Sequence, residues 1–226
     1  MASKMFPFIT KMWNPLGGEC LHGCSYCWAQ GPRGLAKQHK MAKYQGEPYL
    51  IDAELERAFK SGDFVFVCDM LDLFGDWVPR VEILAVLDVI RNNPEADFLL
   101  LTKNPKRYVE FELLLPKNCV CGVTIENDFD DYHESQAPRK HERFEAMWTL
   151  QHKRKMVSIE PILQFAENNF YEWILKVKPK FVAVGYDNYQ NHLPEPLLEK
   201  TLRLIRGLES QGITVYRKTL REAWNA

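Results

Sequence analysis

The stretch Asp97-Phe-Leu-Leu-Leu101, followed at once by Thr102-Lys-Asn-Pro105, decides the fold of this chain. Its apolar run has no polar alternation, which is typical of a strand buried on both faces of a parallel sheet. A polar segment ending in proline follows, and it marks the carboxyl end of the strand. We therefore expect a central parallel strand with polar residues at its carboxyl end.

Similar short runs recur along the chain and alternate with segments of helical spacing. An apolar stretch covers 6–12, and strands are predicted at 63–68, 119–125, 155–159, 181–184 and 213–216. Helices are predicted at 81–90, 106–115, 139–150, 170–177 and 196–210. This alternation indicates right-handed βαβ crossovers and a parallel sheet with about six or seven βα units.

The chain is short for a complete eight-unit barrel. It has 226 residues, whereas a (β/α)₈ barrel typically takes about 250. We predict an α/β fold, specifically a partial (β/α) barrel, with a doubly wound open sheet as the alternative. No internal repeat, low-complexity segment or linker marks a second domain, so residues 1–226 are expected to form a single domain.

Charge and composition restrict the class of protein. Lys+Arg number 29 and Asp+Glu number 30, so net charge gives no support for bulk attraction to nucleic acid. No apolar run approaches the roughly 20 residues that span a bilayer, and the first residues lack the apolar core of a signal peptide. Three of the six cysteines are clustered, which favours a reducing compartment over a disulfide framework. We predict a cytoplasmic protein without a membrane partner.

Three cysteines occur within eight residues, in the segment Cys20-Leu-His-Gly-Cys24-Ser-Tyr-Cys27. Thiolates are the usual ligands of iron–sulfur clusters and are common ligands of zinc. A [4Fe–4S] cluster held by three cysteines leaves one iron open to a small molecule, as catalytic metal sites keep one position open. With His22 as a fourth ligand, the segment would instead form a closed zinc site. The spacing predicts a metal site at Cys20, Cys24 and Cys27.

Polar side chains follow the predicted strands at the ends where parallel α/β folds place their sites. Because these ends share one edge of the sheet, we expect the side chains to converge there. Strand alternation puts Ser158 and Glu160 on one face. The candidates for ligand binding are Asp69 with nearby Asp72, Lys103, Glu126, Ser158 with Glu160, and Asp187 with Asn188.

The cysteine segment, with the aromatic Tyr26 before its third cysteine, resembles the cluster motif of the radical S-adenosylmethionine (radical SAM) superfamily. In that superfamily SAM chelates the open iron, and one electron from the cluster cleaves SAM to methionine and a 5′-deoxyadenosyl radical, which abstracts hydrogen from the substrate. The resemblance implies an enzyme with one [4Fe–4S] cluster and S-adenosyl-L-methionine, a partial barrel fold, and an electron donor such as flavodoxin or ferredoxin.

Five further segments resemble, in the same order, a phage-associated, radical-SAM-like family of unknown function. They are Trp13-Asn-Pro15, Met70-Leu-Asp-Leu-Phe74, Leu101-Thr-Lys-Asn-Pro105, Gly122-Val-Thr-Ile-Glu-Asn127 and Ser158-Ile-Glu-Pro161. The resemblance covers residues 13–187. It departs from the family at Gly185-Tyr-Asp-Asn188, where Asp187 stands in place of a glutamate.

The two resemblances together imply that the strand-end residues bind SAM. The candidate cofactor-binding residues are Tyr26, Trp28, Asp69, Lys103, Glu126, Ser158 and Glu160. The phage association suggests a nucleotide or nucleic-acid base as substrate, and no catalytic residue toward the substrate is identified. Two alternatives stay open: a non-catalytic zinc- or iron–sulfur-binding module, and an ordinary α/β enzyme whose cysteine loop is structural.

Three cysteines lie outside the cluster motif. Cys68 lies near the carboxyl end of its predicted strand and is a candidate redox thiol or hydrogen donor. Cys119 and Cys121 share one face of their strand, and if Glu126 faces the interior, alternation turns both toward the helices. There we expect them to act as small buried apolar residues.

Overall fold

The computed structural model describes residues 6–130 and 134–224. Within them, seven strands form one all-parallel sheet: β1 (Lys11–Trp13), β4 (Phe64–Val67), β5 (Asp97–Thr102), β6 (Cys119–Thr124), β7 (Lys155–Ile159), β8 (Phe181–Val184) and β9 (Thr214–Arg217). Two shorter strands, β2 (Leu16–Gly17) and β3 (Tyr49–Leu50), pair antiparallel to each other. The order in the large sheet is β1-β4-β5-β6-β7-β8-β9.

Helices connect successive strands of the large sheet. They are α1 (Leu35–Gln38), α2 (Asp52–Leu55), α3 (Arg80–Arg91), α4 (Lys106–Glu110), α5 (Lys140–Thr149), α6 (Glu167–Val177) and α7 (Leu198–Ser210), with short 3₁₀ turns at Ala42–Tyr44 and Glu112–Leu114. None of the helices in the described ranges is long and apolar enough to cross a membrane.

The sheet curls into a half barrel around the segment that precedes β1. The Phe8 ring centroid lies 5.1 Å from that of Phe64 on β4 and 4.7 Å from that of Tyr216 on β9. In the sheet, β4 lies next to one edge strand and β9 is the other edge strand, with four strands between them. One side chain can touch both only if the sheet is strongly curved. The predicted partial (β/α) barrel is confirmed, with seven parallel strands. The strand order is sequential and lacks the reversal of a doubly wound sheet, so that alternative is wrong.

Alternation along the strands separates two apolar layers. The inner layer packs against the amino-terminal segment and contains Phe6, Ile9, Phe66, Leu99, Val120, Met156 and Ala183. The outer layer lies between the sheet and the helices and contains most of the remaining core, including Cys119 and Cys121. The outward orientation of these two cysteines is therefore as alternation predicts.

The predicted element positions agree closely with the structure except at two places, the amino terminus and the predicted helix 106–115. The latter is the five-residue helix α4 followed by the 3₁₀ turn Glu112–Leu114. At the amino terminus the apolar stretch 6–12 contributes only two residues to the three-residue strand β1, and the residues before β1 pack in the barrel interior. Apolar character alone cannot distinguish a strand from a chain segment enclosed by strands. The short elements α1, α2, β2 and β3 carry no periodic signal, which explains why the sequence did not predict them.

Replacing Phe8 tests whether the amino-terminal segment holds the half barrel together. A fully buried Phe→Ala substitution costs about 3–5 kcal/mol, and because Phe8 is only half-buried, we expect Phe8→Ala to lower the free energy of unfolding by about 2 kcal/mol. Urea denaturation measures the change. Leu113→Ala is the control, since Leu113 is 98% exposed. Equal stability of the two variants would contradict this role of Phe8.

Candidate cofactor site

A cavity of about 750 Å³ lies at the carboxyl edge of the half barrel. Nine of the ten residues predicted to hold metal or cofactor line it: Cys20, Cys24, Tyr26, Cys27, Trp28, Asp69, Lys103, Ser158 and Glu160. The tenth, Glu126, is fully buried and lies outside the cavity lining. The expected convergence of strand ends is therefore present, while Glu126 occupies a supporting position.

The three cysteines of the motif carry free thiols and all face this cavity. Cys24 is buried, and the other two are half-buried. Burial, reinforced by the charge of Asp72, raises the pKa of Cys20 to about 12. A metal that binds these thiols must therefore displace protons, as metal binding to cysteine generally does. Gly23 has φ 56°, a left-handed conformation that lets the chain turn between Cys20 and Cys24.

Asp72 fixes the first half of the cysteine loop to the sheet. Its carboxylate accepts hydrogen bonds from Thr102 Oγ1 at 2.9 Å and from the backbone N–H of Lys103 at 2.8 Å. His22 Nε2 lies 2.7 Å from the same carboxylate, and both side chains are buried. Burial alone would raise the pKa of Asp72, but the contact with His22 and the hydrogen bonds from Lys103 and Thr102 together lower that pKa. His22 Nε2 thus ties the cysteine loop to Asp72, which leaves only Nδ1 for any metal.

Glu126 fixes the second half of the loop. Its carboxylate contacts the hydroxyl of Tyr26 and the ammonium of Lys103, and Arg143 Nη1 donates to Oε2 at 2.9 Å. Lys103 also contacts the Tyr26 hydroxyl. Burial alone would raise the pKa of Glu126, but the charges of Lys103 and Arg143 hold it well below its usual value. One buried anion thus joins the cysteine loop, the end of β5 and helix α5.

Gln30 is a third residue that holds the cysteine loop in place, and it was not predicted from the sequence. Its Oε1 accepts the backbone N–H of Cys20 at 2.7 Å, and its Nε2 donates to the Met70 carbonyl at 2.9 Å. The backbone N–H of Gln30 lies 3.3 Å from the Cys27 sulfur. The glutamine therefore spans the loop from its first cysteine to its last. No local pattern in the sequence distinguishes it from an exposed polar residue.

The remaining polar residues predicted to bind the cofactor are Asp69, Glu160 and Ser158, and the two carboxylates have few hydrogen-bond partners within the protein. Asp69 accepts a hydrogen bond from Asn14 Nδ2 at 2.5 Å, and Glu160 forms an ion pair with Lys218 at 3.1 Å. Burial raises the pKa of both carboxyl groups. Ser158 is buried against the cavity.

Asp187, a candidate for ligand binding from the sequence, also lines the cavity. Its carboxylate accepts the backbone N–H of Tyr189 at 3.1 Å and that of Asn191 at 2.6 Å. Its oxygens thus organise the loop that follows β8.

Several cavity residues were absent from the predicted site, namely Phe6, Tyr186, Tyr189 and Lys218. Lys218 follows β9 directly, so the rule that selected the other strand ends would have found it. Phe6 belongs to the segment that fills the barrel, and its ring centroid is 4.7 Å from Lys218 Nζ. Cys68, a candidate thiol, lines the same cavity and is buried.

These features define a partial (β/α) barrel protein with a three-cysteine loop at the carboxyl edge of its sheet. The chain belongs to the family described as "Protein of unknown function (DUF5131)", whose model matches residues 4–185. That description bears neither on phage association nor on a cofactor. No curated protein matches the chain.

Solved structures share the fold at low sequence identity. A mutant of spore photoproduct lyase has a TM-score of 0.65 and 10% identity, with 96% of this chain and 78% of that chain covered. A second mutant of this lyase, with bound AdoMet and dinucleoside spore photoproduct, has a TM-score of 0.61 and 11% identity. The match covers 92% of this chain and 76% of that chain. SuiB of Streptococcus suis, bound to precursor peptide SuiA, has a TM-score of 0.59 and 9% identity. The match covers 93% of this chain and 49% of that chain.

Replacing Glu126 tests whether its carboxylate stabilises the site. In Glu126→Gln the cations Lys103 and Arg143 lose their shared counter-ion, and breaking such a buried pair costs about 3–5 kcal/mol. Urea unfolding at neutral pH measures the loss. Glu145→Gln, an exposed change on the same helix as Arg143, is the control and should stay within about 0.5 kcal/mol of wild type.

The stabilisation by Glu126 should also depend on pH. Since the folded-state pKa of Glu126 is lowered, its stabilisation is present above the unfolded-state value of about 4.3. It is lost as the pH falls through the folded-state pKa. The stability difference between wild type and Glu126→Gln should therefore narrow in acid. A difference that stays constant from neutral to acid pH would contradict the role of this carboxylate.

Proposed function

We propose that this protein is a radical SAM enzyme in which Cys20, Cys24 and Cys27 hold one [4Fe–4S] cluster. The observation that carries the proposal is the gathering of these three cysteines and the polar strand ends around one cavity. The fold supports it, because the neighbouring structures belong to radical SAM enzymes and one of them contains AdoMet. When bound, the reduced cluster would supply the electron for reductive cleavage of SAM.

The donor set fits a cluster better than a single zinc ion. A mononuclear tetrahedral site needs its ligand atoms within about 4 Å of one another, and the three loop cysteines are not gathered so tightly. Thiolates that bind different irons of a cubane lie farther apart. Among the described residues, His22 likewise forms no compact group of ligand atoms with the loop cysteines. These separations favour the cluster over the zinc-binding module.

The polar residues of the cavity would bind SAM by complementary hydrogen bonding. Asp69 and Glu160 offer carboxylate oxygens to the amino group and ribose hydroxyls, and Ser158 offers a hydroxyl. Lys103 offers a cation to the carboxylate, held in place by Glu126. Trp28 offers an aromatic face for the adenine. In this arrangement Tyr26 and Glu126 are positioning residues, because their polar atoms contact one another and Lys103.

The substrate class does not follow from the fold. One neighbour is bound to a dinucleoside photoproduct and another to a precursor peptide. The same barrel thus accepts chemically different substrates, as common folds generally do. A nucleotide or nucleic-acid base therefore stays a prediction from the sequence alone, as does an electron donor such as flavodoxin or ferredoxin.

The cluster and the chemistry can be tested with one set of cysteine variants. After anaerobic reconstitution, wild type should bind roughly four irons per chain and, with dithionite, should convert SAM slowly to 5′-deoxyadenosine and methionine. The triple Cys20/Cys24/Cys27→Ala variant should lose both the iron and the product. Cys68→Ala is the matched control, since it removes a thiol from the same cavity and should keep the cluster. A triple variant with full iron content would refute the ligand assignment, and a reducible cluster that yields no product would refute the reaction class.

Binding of SAM tests the strand-end residues separately from the chemistry. Alanine at Asp69 or Glu160 removes a charged hydrogen-bond partner worth about 1.5–3 kcal/mol, so we expect Kd for SAM to rise about 10- to 100-fold. Equilibrium binding to the reconstituted protein measures Kd, with iron content checked in every variant. Glu199→Ala, on the exposed side of α7, is the control and should bind as wild type. Unchanged Kd in both cavity variants would contradict the assignment.

A further inference from the structure

A second group of potential metal ligands lies outside the cofactor cavity. It consists of Cys119, Cys121 and His152, whose ligand atoms all lie within 4.8 Å of one another. Both thiols are fully buried, and His152 is half-buried. Cys119 Sγ lies 3.7 Å from His152 Nε2. That separation is close to the sulfur–nitrogen edge of a zinc tetrahedron, about 3.6 Å from bond lengths of about 2.3 and 2.05 Å.

The register of the sheet brings the three residues together. Cys121 on β6 pairs with Lys155 on β7, so the start of β6 lies beside the chain entering β7, where His152 is found. The two cysteines stand two residues apart on the helix-facing side of β6. Sequence alone does not reveal this group because His152 lies more than 30 residues along the chain from either cysteine.

The orientation of the His152 ring suits metal binding. Nδ1 lies 3.2 Å from the Arg154 carbonyl oxygen and 3.3 Å from the Arg154 backbone nitrogen. Nε2 lies 3.7 Å from Cys119 Sγ and 3.4 Å from the Pro116 carbonyl oxygen. In the tautomer with hydrogen on Nδ1, the ring donates to the Arg154 carbonyl and leaves the Nε2 lone pair free for a metal beside Cys119. Metal-binding histidines characteristically donate their other ring N–H to a carbonyl or carboxylate in this way.

The cations near the group are engaged elsewhere. Lys155 Nζ donates to the carbonyl oxygens of Met147 at 2.9 Å and Leu150 at 3.1 Å, at the carboxyl end of α5. Arg154 forms an ion pair with Asp97 at 2.5 Å. Two thiolates and a divalent ion would make a neutral centre, so these cations do not oppose its formation.

A disulfide between the two cysteines is a poor alternative. Residues two apart on an extended strand have Cα atoms about 6.6 Å apart, from a rise of about 3.3 Å per residue. This lies at the upper limit of disulfide geometry, about 6.8 Å. The group is also too compact for a cubane cluster, whose ligand sulfurs must reach different irons.

We propose that Cys119, Cys121 and His152 bind a single zinc ion. Two soft thiolates and an imidazole are the donor set that zinc prefers, and the fourth position is left for water or an external ligand. Cys119 is five residues from the carboxyl end of β6, about 16 Å along the strand. The ion therefore joins β6 to the chain before β7 at the amino edge of the sheet, apart from the cofactor cavity.

Metal content of the cluster-deficient protein tests this proposal without interference from loop iron. The Cys20/Cys24/Cys27→Ala variant, expressed with added zinc and measured by mass spectrometry before any reconstitution, should contain about one zinc per chain. Adding Cys119/Cys121→Ser should remove that zinc, whereas adding Cys68→Ser, which alters another buried cysteine, should leave it. Iron in place of zinc would overturn the assignment.

If the variant that combines the triple alanine change with Cys119/Cys121→Ser fails to fold, metal binding to the cluster-deficient protein provides a second test. In the cluster-deficient protein, added Co²⁺ should give the visible absorption of a tetrahedral thiolate site, and Zn²⁺ should displace it. His152→Ala should weaken Zn²⁺ binding by more than the roughly 100-fold that loss of a supporting contact can cost. Folded cluster-deficient protein that holds no zinc and binds neither ion would overturn the proposal.

Discussion

The cysteine loop depends on one buried electrostatic arrangement, the carboxylate of Glu126 with its three partners. A long irregular segment pays a large conformational entropy to hold one geometry. The loop belongs to such a segment, residues 18–48 between β2 and β3, in which the only regular elements are a four-residue helix and a 3₁₀ turn. Glu126 offsets that cost by binding Tyr26 from the loop, Lys103 from the sheet and Arg143 from the outer helices. Asp72 does the same for the first half of the loop through His22.

This arrangement explains why the polar strand ends fall into two groups. Glu126 and Asp72 are buried, and their oxygens are occupied by protein donors. Asp69 and Glu160 line the cavity, as Asp72 does, but they have fewer protein partners. The first group fixes the position of the loop, and the second remains available to a ligand. Strand-end position in the sequence cannot separate the groups, because it does not show which side chains meet a buried cation.

Much of the fold and part of the site could be predicted from the sequence. Strands such as 155–159 were located correctly because apolar runs bounded by polar residues identify strands in parallel sheets. Convergence of the cysteines with the strand ends followed from the rule that parallel strands share one carboxyl edge. Gln30 and His152 could not be found, since their contacts depend on loop path and strand register rather than on local pattern.

The incomplete barrel leaves β1 and β9 as the outermost strands of the sheet. Terminal strands of a sheet are templates on which other polypeptides can add a strand, which leads to aggregation. Here both are short, with three and four residues, and they carry Lys11 and Arg217. Short length and charge are the features by which natural sheets discourage such addition. The two open edges of the half barrel are therefore poor templates for a further strand.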